Sequence, residues 1–192
     1  MKQPKRDQGV NGNIKAGLSG NVIEFPLNTD NSYTDHRHTD NSDERYTDGL
    51  KIAVGLLARR EHSRLEIRRK LSSRGIEDGV ISRILDVLLQ RGDLDERRFV
   101  ETYVHYRRQK GYGPRRIQME LQQRGVGDEL LGDYLDERDE HWQQLALQVI
   151  LKKFGAAPAE SVKDKAKQMN FLQYRGFTMP QINKLFRDDT FI

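Results

Sequence analysis

From Asp48 onward apolar residues recur at helical spacing, and the breaks between the runs carry capping chemistry. Leu50, Ala53, Val54 and Leu57 stand at i, i+3, i+4 and i+7, which predicts one helix face with Asp48 as its cap. Ser63 and Glu66 form a capping box ahead of Ile67 and Leu71; Gly75 then stops that helix in the left-handed conformation, with Ile76 packing just beyond. Asp78 opens a third helix with Val80, Ile81, Ile84, Leu85 and Leu88 inward, and Gly92 closes it.

The same order then recurs. Asp95 caps a helix carrying Phe99, Tyr103 and Tyr106, Gly111-Tyr112-Gly113-Pro114 breaks the chain, and Pro114 suits the first turn of a helix with Ile117 and Leu121 that ends at Gly125. Leu130, Leu131, Tyr134 and Leu135 mark the next helix. A third round starts near His141 with Leu145, Ala146, Val149 and Ile150, ends at Gly155, and passes through Ala156-Ala157-Pro158. It continues with Val162, Ala166, Met169 and Leu172, then Ile182, Leu185 and Phe186 after Thr178. No segment alternates as a strand does.

Three segments share the pattern Leu-x-x-Arg-Gly-apolar: Leu71 to Ile76, Leu121 to Val126 and Leu172 to Phe177. The leucines lie 50 and 51 residues apart (121 − 71 and 172 − 121), a period that marks stacked helical units. The expected architecture is all-α, an elongated, curved array of three tandem three-helix repeats over residues 49–93, 94–139 and 140–192. Each unit of about 50 residues buries too little surface to stand alone, so neighbours are expected to share core. Residues 1–48, rich in Asn, Asp, Gly, Ser and Thr, read as a disordered tail whose single apolar cluster spans 22–26.

Composition narrows the function. Charged residues make up 32% of the chain and Cys is absent, which excludes disulfides, thiolate metal sites and a Cys nucleophile and fits a cytoplasmic protein. No apolar run reaches the roughly 20 residues that cross a bilayer, and no apolar stretch follows the basic N-terminus, so neither membrane span nor secretory signal is expected. The net charge of +4 conceals a partition: +8 over residues 51–124, −6 over 125–141. Such asymmetry points to a polyanion or an acidic protein surface as partner.

The residues that carry this charge are the candidate site: Arg59, Arg60, Arg64, Arg68, Arg69 and Lys70 in the first unit, then Arg97, Arg98, Arg107, Arg108, Lys110, Arg115 and Arg116 with Tyr112 in the second. Arginine bonds carboxylates and phosphates bidentately, so the set suits either. Tyr103 and Tyr106 are expected in the core, while Tyr112, between glycines, is free to touch a partner. Nothing looks catalytic: no phosphate loop, no His-Glu-x-x-His and no Gly-x-Ser-x-Gly is present. Ser63 follows His62 directly, yet its capping role explains it. His36 and His38 lack further ligands, so no metal and no cofactor is assigned. The Arg-Gly stop between helices resembles a helix-turn-helix, for which phosphate contact is a better reading than base recognition.

Two long stretches resemble the RecX family of bacterial regulators of the RecA recombinase. One runs Leu57-Ala58-Arg59-Arg60-Glu61-His62-Ser63-Arg64-Leu65-Glu66-Ile67-Arg68-Arg69-Lys70-Leu71 and closes at Arg74-Gly75. The other is Leu94-Asp95-Glu96-Arg97-Arg98-Phe99, then Gly111-Tyr112-Gly113-Pro114-Arg115-Arg116-Ile117 and Glu120-Leu121 up to Gly125. The resemblance covers about residues 50–187, more loosely in the third unit. It implies a non-enzymatic negative regulator that binds in the groove of RecA–DNA filaments and suppresses ATP hydrolysis, strand exchange and filament growth, modulating DNA repair and the SOS response; the chain is expected to act as a monomer. The acidic stretch 128–140 would face away from DNA or meet a basic patch of RecA. The rival from another class is a free-standing, sequence-nonspecific DNA-binding protein built of helix-turn-helix-like units.

Overall fold

The repeated Leu-x-x-Arg-Gly-apolar segments are three copies of one helix ending. In each, the glycine is left-handed: φ is 77° at Gly75, 82° at Gly125 and 89° at Gly176. In each, the amide after the glycine donates to the carbonyl of the motif leucine: Ile76 to Leu71 at 3.3 Å, Val126 to Leu121 at 3.2 Å, Phe177 to Leu172 at 3.1 Å. This double constraint satisfies a carbonyl the helix end would leave orphaned and turns the following apolar residue inward.

In the computed structural model, residues 36–155 and 161–187 are described, with side chains from Ser42 onward. Among the described residues there are nine helices and no strand: α1 His36–Leu57, α2 Arg64–Ser72, α3 Asp78–Gln90, α4 Glu96–Gln109, α5 Pro114–Gln122, α6 Asp128–Gly132, α7 His141–Phe154, α8 Val162–Tyr174 and α9 Met179–Arg187. The all-α class and the three helix triplets agree with the sequence reading. The expected tail up to residue 35, its cluster at 22–26 and the Ala156-Ala157-Pro158 connection lie outside the described residues, as do the side chains of His36 and His38.

Two cores hold the triplets. Ala53, Ile67, Leu71, Ile81, Ile84, Leu85 and Leu88 pack together beneath α1, α2 and α3. The second and third triplets share one continuous core in which Phe99, Ile117, Leu121, Trp142, Ile150, Leu172 and Phe177 are buried. Core sharing therefore holds for α4 to α9, while the first triplet has a core of its own.

Several expected positions are corrected. Asp48 lies inside α1 and does not cap it, because the helix starts at His36. Val54 is exposed: Ala53 is buried and Ile52 and Leu56 pack against the first core, which turns Val54 to the outer face. Tyr106 and Val162 are also exposed, at 51% and 88%. α6 is only five residues long. It ends at Gly132, a poor helix former, so Tyr134 and Leu135 lie beyond it, although Leu135 is still buried.

The motif also joins the triplets. Gly113 precedes α5 and has no side chain to cap it. The carbonyls of Arg175 and Gly176 take that role, accepting from the amides of Gly113 at 2.8 Å and Arg115 at 3.1 Å. Arg175 Nη1 donates to the carbonyls of Lys110 (2.7 Å) and Gly111 (3.3 Å), which locks the approach. At the earlier junction the Ser63 hydroxyl donates to the Arg124 carbonyl at 2.7 Å while accepting from the Glu66 amide at 3.1 Å. Arg124-Gly125 thus docks on the start of α2 as Arg175-Gly176 docks on the start of α5.

Candidate functional site

The two helix pairs richest in arginine, α1–α2 and α4–α5, scatter the candidate cations into different roles. In the first triplet Arg60 donates to Glu66 (3.0 Å) and to the Glu61 carbonyl (2.8 Å). Arg64 reaches Asp86 only at 3.8 Å. Arg68 is tied to α3 through Asp78 at 2.9 Å and Ser82 at 3.1 Å. Arg59 and Arg69 are exposed and Lys70 half-buried, and their side-chain cations have no carboxylate partner. The Glu66 carboxylate is turned to Arg60 and to Arg124 (3.4 Å), so only the serine half of the capping box is made as expected.

In the second triplet the pairing is denser. Arg97 meets Asp133 at 3.2 Å and Arg115 meets Glu137 at 3.3 Å. Arg98 spans the triplets, donating to Glu61 (3.0 Å) and to the carbonyls of Gly92 (2.9 Å) and Asp93 (3.2 Å). Arg108 lies 4.1 Å above the Trp142 ring and contacts Asp139 at 3.3 Å. Asp139 is held below the usual carboxylate range, chiefly by the His141 amide and then by the His141 ring and Arg108. The acidic stretch thus supplies counter-ions to its own triplet: Asp133, Glu137 and Asp139 are all engaged internally.

Glu120 is the hub that charge counting missed. It accepts from Arg107, from Arg116 at 3.2 Å and from the Tyr103 hydroxyl at 2.8 Å. Burial alone would raise its pKa, but the hydrogen bonds from Arg107, Tyr103 and Arg116 hold it below the ordinary value. Burial and the same carboxylate push the Tyr103 phenol up to about 12. Tyr112, expected to be free for a partner, is instead stacked between Arg107 (4.0 Å) and Arg116 (4.5 Å), with Arg175 at 5.3 Å. Arg124 and Arg175 were outside the candidate set, although their recurrence ahead of glycine was a usable signal. Lys110 keeps an exposed cation, with Nζ 5.4 Å over the Tyr106 ring.

Three family models match in succession: the RecX first three-helix domain over residues 50–88, the second over 95–135 and the third over 139–186. A "Regulatory protein RecX" from Pseudomonas putida is 41% identical over 135 residues, 70% of this chain and 86% of that protein. Another from Halorhodospira halophila is 42% identical over 130 residues, 68% of this chain and 81% of that protein. The chain belongs to the RecX family. Two RecX crystal structures share the fold, each with a TM-score of 0.67 over 78% of this chain: one from Lactobacillus salivarius at 20% identity, covering 99% of that chain, and a second RecX structure at 18%, covering 76%. The helix α2 and most of α3 fall within the first RecX domain match, α4 to α6 within the second, and α7, α8 and most of α9 within the third.

Within this RecX chain the His62-Ser63 pair is structural. His62 is 3% exposed, and its Nδ1 donates to the Arg60 carbonyl at 2.9 Å. Burial lowers its pKa below the ordinary 6.5, with the Arg60 charge adding to the shift. The folded state therefore favours the neutral ring. Its stabilisation is complete above the unfolded-state pKa and is lost as pH falls below it. The urea midpoint is expected to drop between pH 7.5 and 5.5, and to drop less in His62→Gln; equal drops in both proteins would assign the effect elsewhere.

Proposed function

We propose that this chain restrains the RecA recombinase, binding in the groove of RecA–DNA filaments and inhibiting ATP hydrolysis, strand exchange and filament growth, with DNA repair and the SOS response as the processes modulated. The observation that carries the reading is that a RecX-family chain with its arginines largely paired still leaves cations without carboxylates on every triplet: Arg59, Arg69 and Lys70, then Lys110, then Lys152 and Lys153. Cations spread along a tandem array suit a polymer of repeating negative charge better than one compact ligand. The reading requires no chemistry of the chain's own, needs no cofactor, and has a monomer acting in the cytoplasm. Among the described residues no helix is long and apolar enough to cross a membrane.

The test is the DNA-dependent ATPase of RecA titrated with the full chain. Progressive inhibition is expected, and undiminished turnover at stoichiometric protein would overturn the reading. Affinity for RecA-coated single strands should also exceed that for bare DNA at moderate salt; the reverse order, with a steep salt slope, would identify the free-standing DNA binder. Arg59→Glu combined with Arg69→Glu is expected to weaken filament binding several-fold, mainly through the on-rate. Arg68 is unsuitable for this purpose, because reversing it also breaks its bonds to Asp78 and Ser82.

A further inference from the structure

A groove of about 490 Å³ opens between the end of α4, the C-terminal half of α7 and the end of α8. That volume is in the range of clefts that take organic ligands, and exceeds what a single small anion needs. Its walls carry Lys110, Lys152, Lys153 and Arg175 and no carboxylate. Lys152 and Lys153 are exposed and have no ion-pair partner. Arg175 is anchored by the carbonyls of Lys110 and Gly111, dipoles that orient a guanidinium without cancelling its charge.

The plain alternative is that these cations complement helix ends. Lys110 is the C-cap of α4, and Lys152 and Lys153 occupy the last turn of α7. Arg175 is itself the C-cap of α8, and each helix C-terminus carries about half a negative charge, so the three of them offset about one and a half of the four positive charges. A net excess of positive charge remains.

Besides Gln109, Gly111 and Gln148, the rest of the groove is apolar and aromatic. Phe171 lines it beside Val149. Phe154, 38% exposed at the end of α7, meets Phe171 edge-on at 5.4 Å. Cations that follow a phosphate backbone, next to aromatic rings on which unpaired bases stack, are the means by which single strands are held without sequence preference. An acidic peptide would use the cations and leave the rings without a role, and a duplex would keep its bases from them.

We infer that this groove is a binding site for single-stranded nucleic acid, with Lys110, Lys152, Lys153 and Arg175 on the phosphates and Phe154, whose ring is exposed beside Phe171, under a base. The inference rests on the RecA–DNA filament reading and adds to it the position of the strand.

The experiment measures binding of a fluorescein-labelled oligothymidylate to the full chain by anisotropy across a salt series. Lys152→Glu with Lys153→Glu is expected to weaken binding about tenfold or more and to flatten the slope of log K against log salt by about 1.4, at roughly 0.7 per phosphate contact. Lys163→Glu with Lys184→Glu makes the same change of charge on the same triplet outside the groove, and should do far less. Phe154→Leu should cost several-fold in affinity with the slope unchanged, since a ring is lost and no charge. Four outcomes overturn the proposal: no binding by the unaltered chain, equal losses in the two lysine pairs, an unaffected Phe154→Leu, or displacement by oligoglutamate more readily than by unlabelled oligothymidylate. Melting curves on each variant separate binding loss from unfolding. The RecA ATPase assay on the same proteins separates the two readings: groove-dependent binding without ATPase inhibition removes the filament function and leaves the site, and inhibition together with strand binding that both survive the Lys152 and Lys153 changes removes the site and leaves the function.

Discussion

Gly176→Ala is expected to destabilise the protein by about 3 kcal/mol, although it adds a single methyl group. Two costs combine. A left-handed backbone, here at φ 89°, costs an L-residue about 1–2 kcal/mol. The new Cβ would also lie 2.4 Å from Arg116 Cβ and 2.5 Å from the Arg116 amide nitrogen. Backbone cannot yield as a side-chain tip can, so α8 must lift away from α5, at about 1–3 kcal/mol. The carbonyls that cap α5 move with it. At about 2–4 °C per kcal/mol for a chain of this size, the melting temperature should fall by about 10 °C.

The repeat supplies its own controls. Gly75 occupies the same motif position with φ 77°, but among the described residues nothing lies within 4 Å of a Cβ there. Gly75→Ala should therefore show the conformational cost alone. Gly125 meets Leu65 Cβ at 2.9 Å, so its loss should fall between the other two. Gly113→Ala isolates the clash: φ is an ordinary −83°, yet the Cβ would lie 2.5 Å from the Gly176 carbonyl. Equal losses at Gly75 and Gly176 in thermal melts would show that the motif is only a helix stop and not also a joint.

How much of this the sequence disclosed depends on how local the physics is. Helix endings were legible because Leu, Gly and the next apolar residue lie within six positions and satisfy one another. The caps at Ser63 and Asp95 were legible for the same reason, and in both the side chain accepts from the first turn. The second use of the motif was not, because Arg175 and Gly176 dock on Gly113 and Arg115 some sixty residues away. Nor could composition tell a free arginine from a bonded one. Arg68, Arg98 and Arg107 count toward the basic patch, yet their partners Asp78, Glu61 and Glu120 come from neighbouring helices or the preceding triplet. Lys152 and Lys153 escaped notice for the opposite reason. They sit in a segment of modest charge and matter only because folding brings Lys110 and Arg175 alongside.

Glu120→Ala is expected to be the most damaging change among the charged residues, at about 2–3 kcal/mol. Its carboxylate is 13% exposed, against 18% for Arg107 and 27% for Arg116. Removing one member of a buried pair costs about 3–5 kcal/mol, and partial exposure reduces that. Two arginines would then face each other across Tyr112, with Arg175 close by and no carboxylate between them. The pH dependence has a definite sign. A carboxylate with a depressed folded-state pKa stabilises above its unfolded value and loses that contribution as pH falls through the folded one. The gap between the original chain and Glu120→Ala should therefore be full at neutral pH and close in acid. The Tyr103 phenol, now at about 12, should titrate lower in the variant, read as phenolate absorbance, because the carboxylate that holds its proton is gone. A double-mutant cycle with Arg107→Ala decides whether the network acts as a unit. Strongly sub-additive losses are expected, since Glu120 without Arg107 keeps less to lose. Additive losses would break the hub into independent pairs and return Arg107 to the surface charges available to a partner.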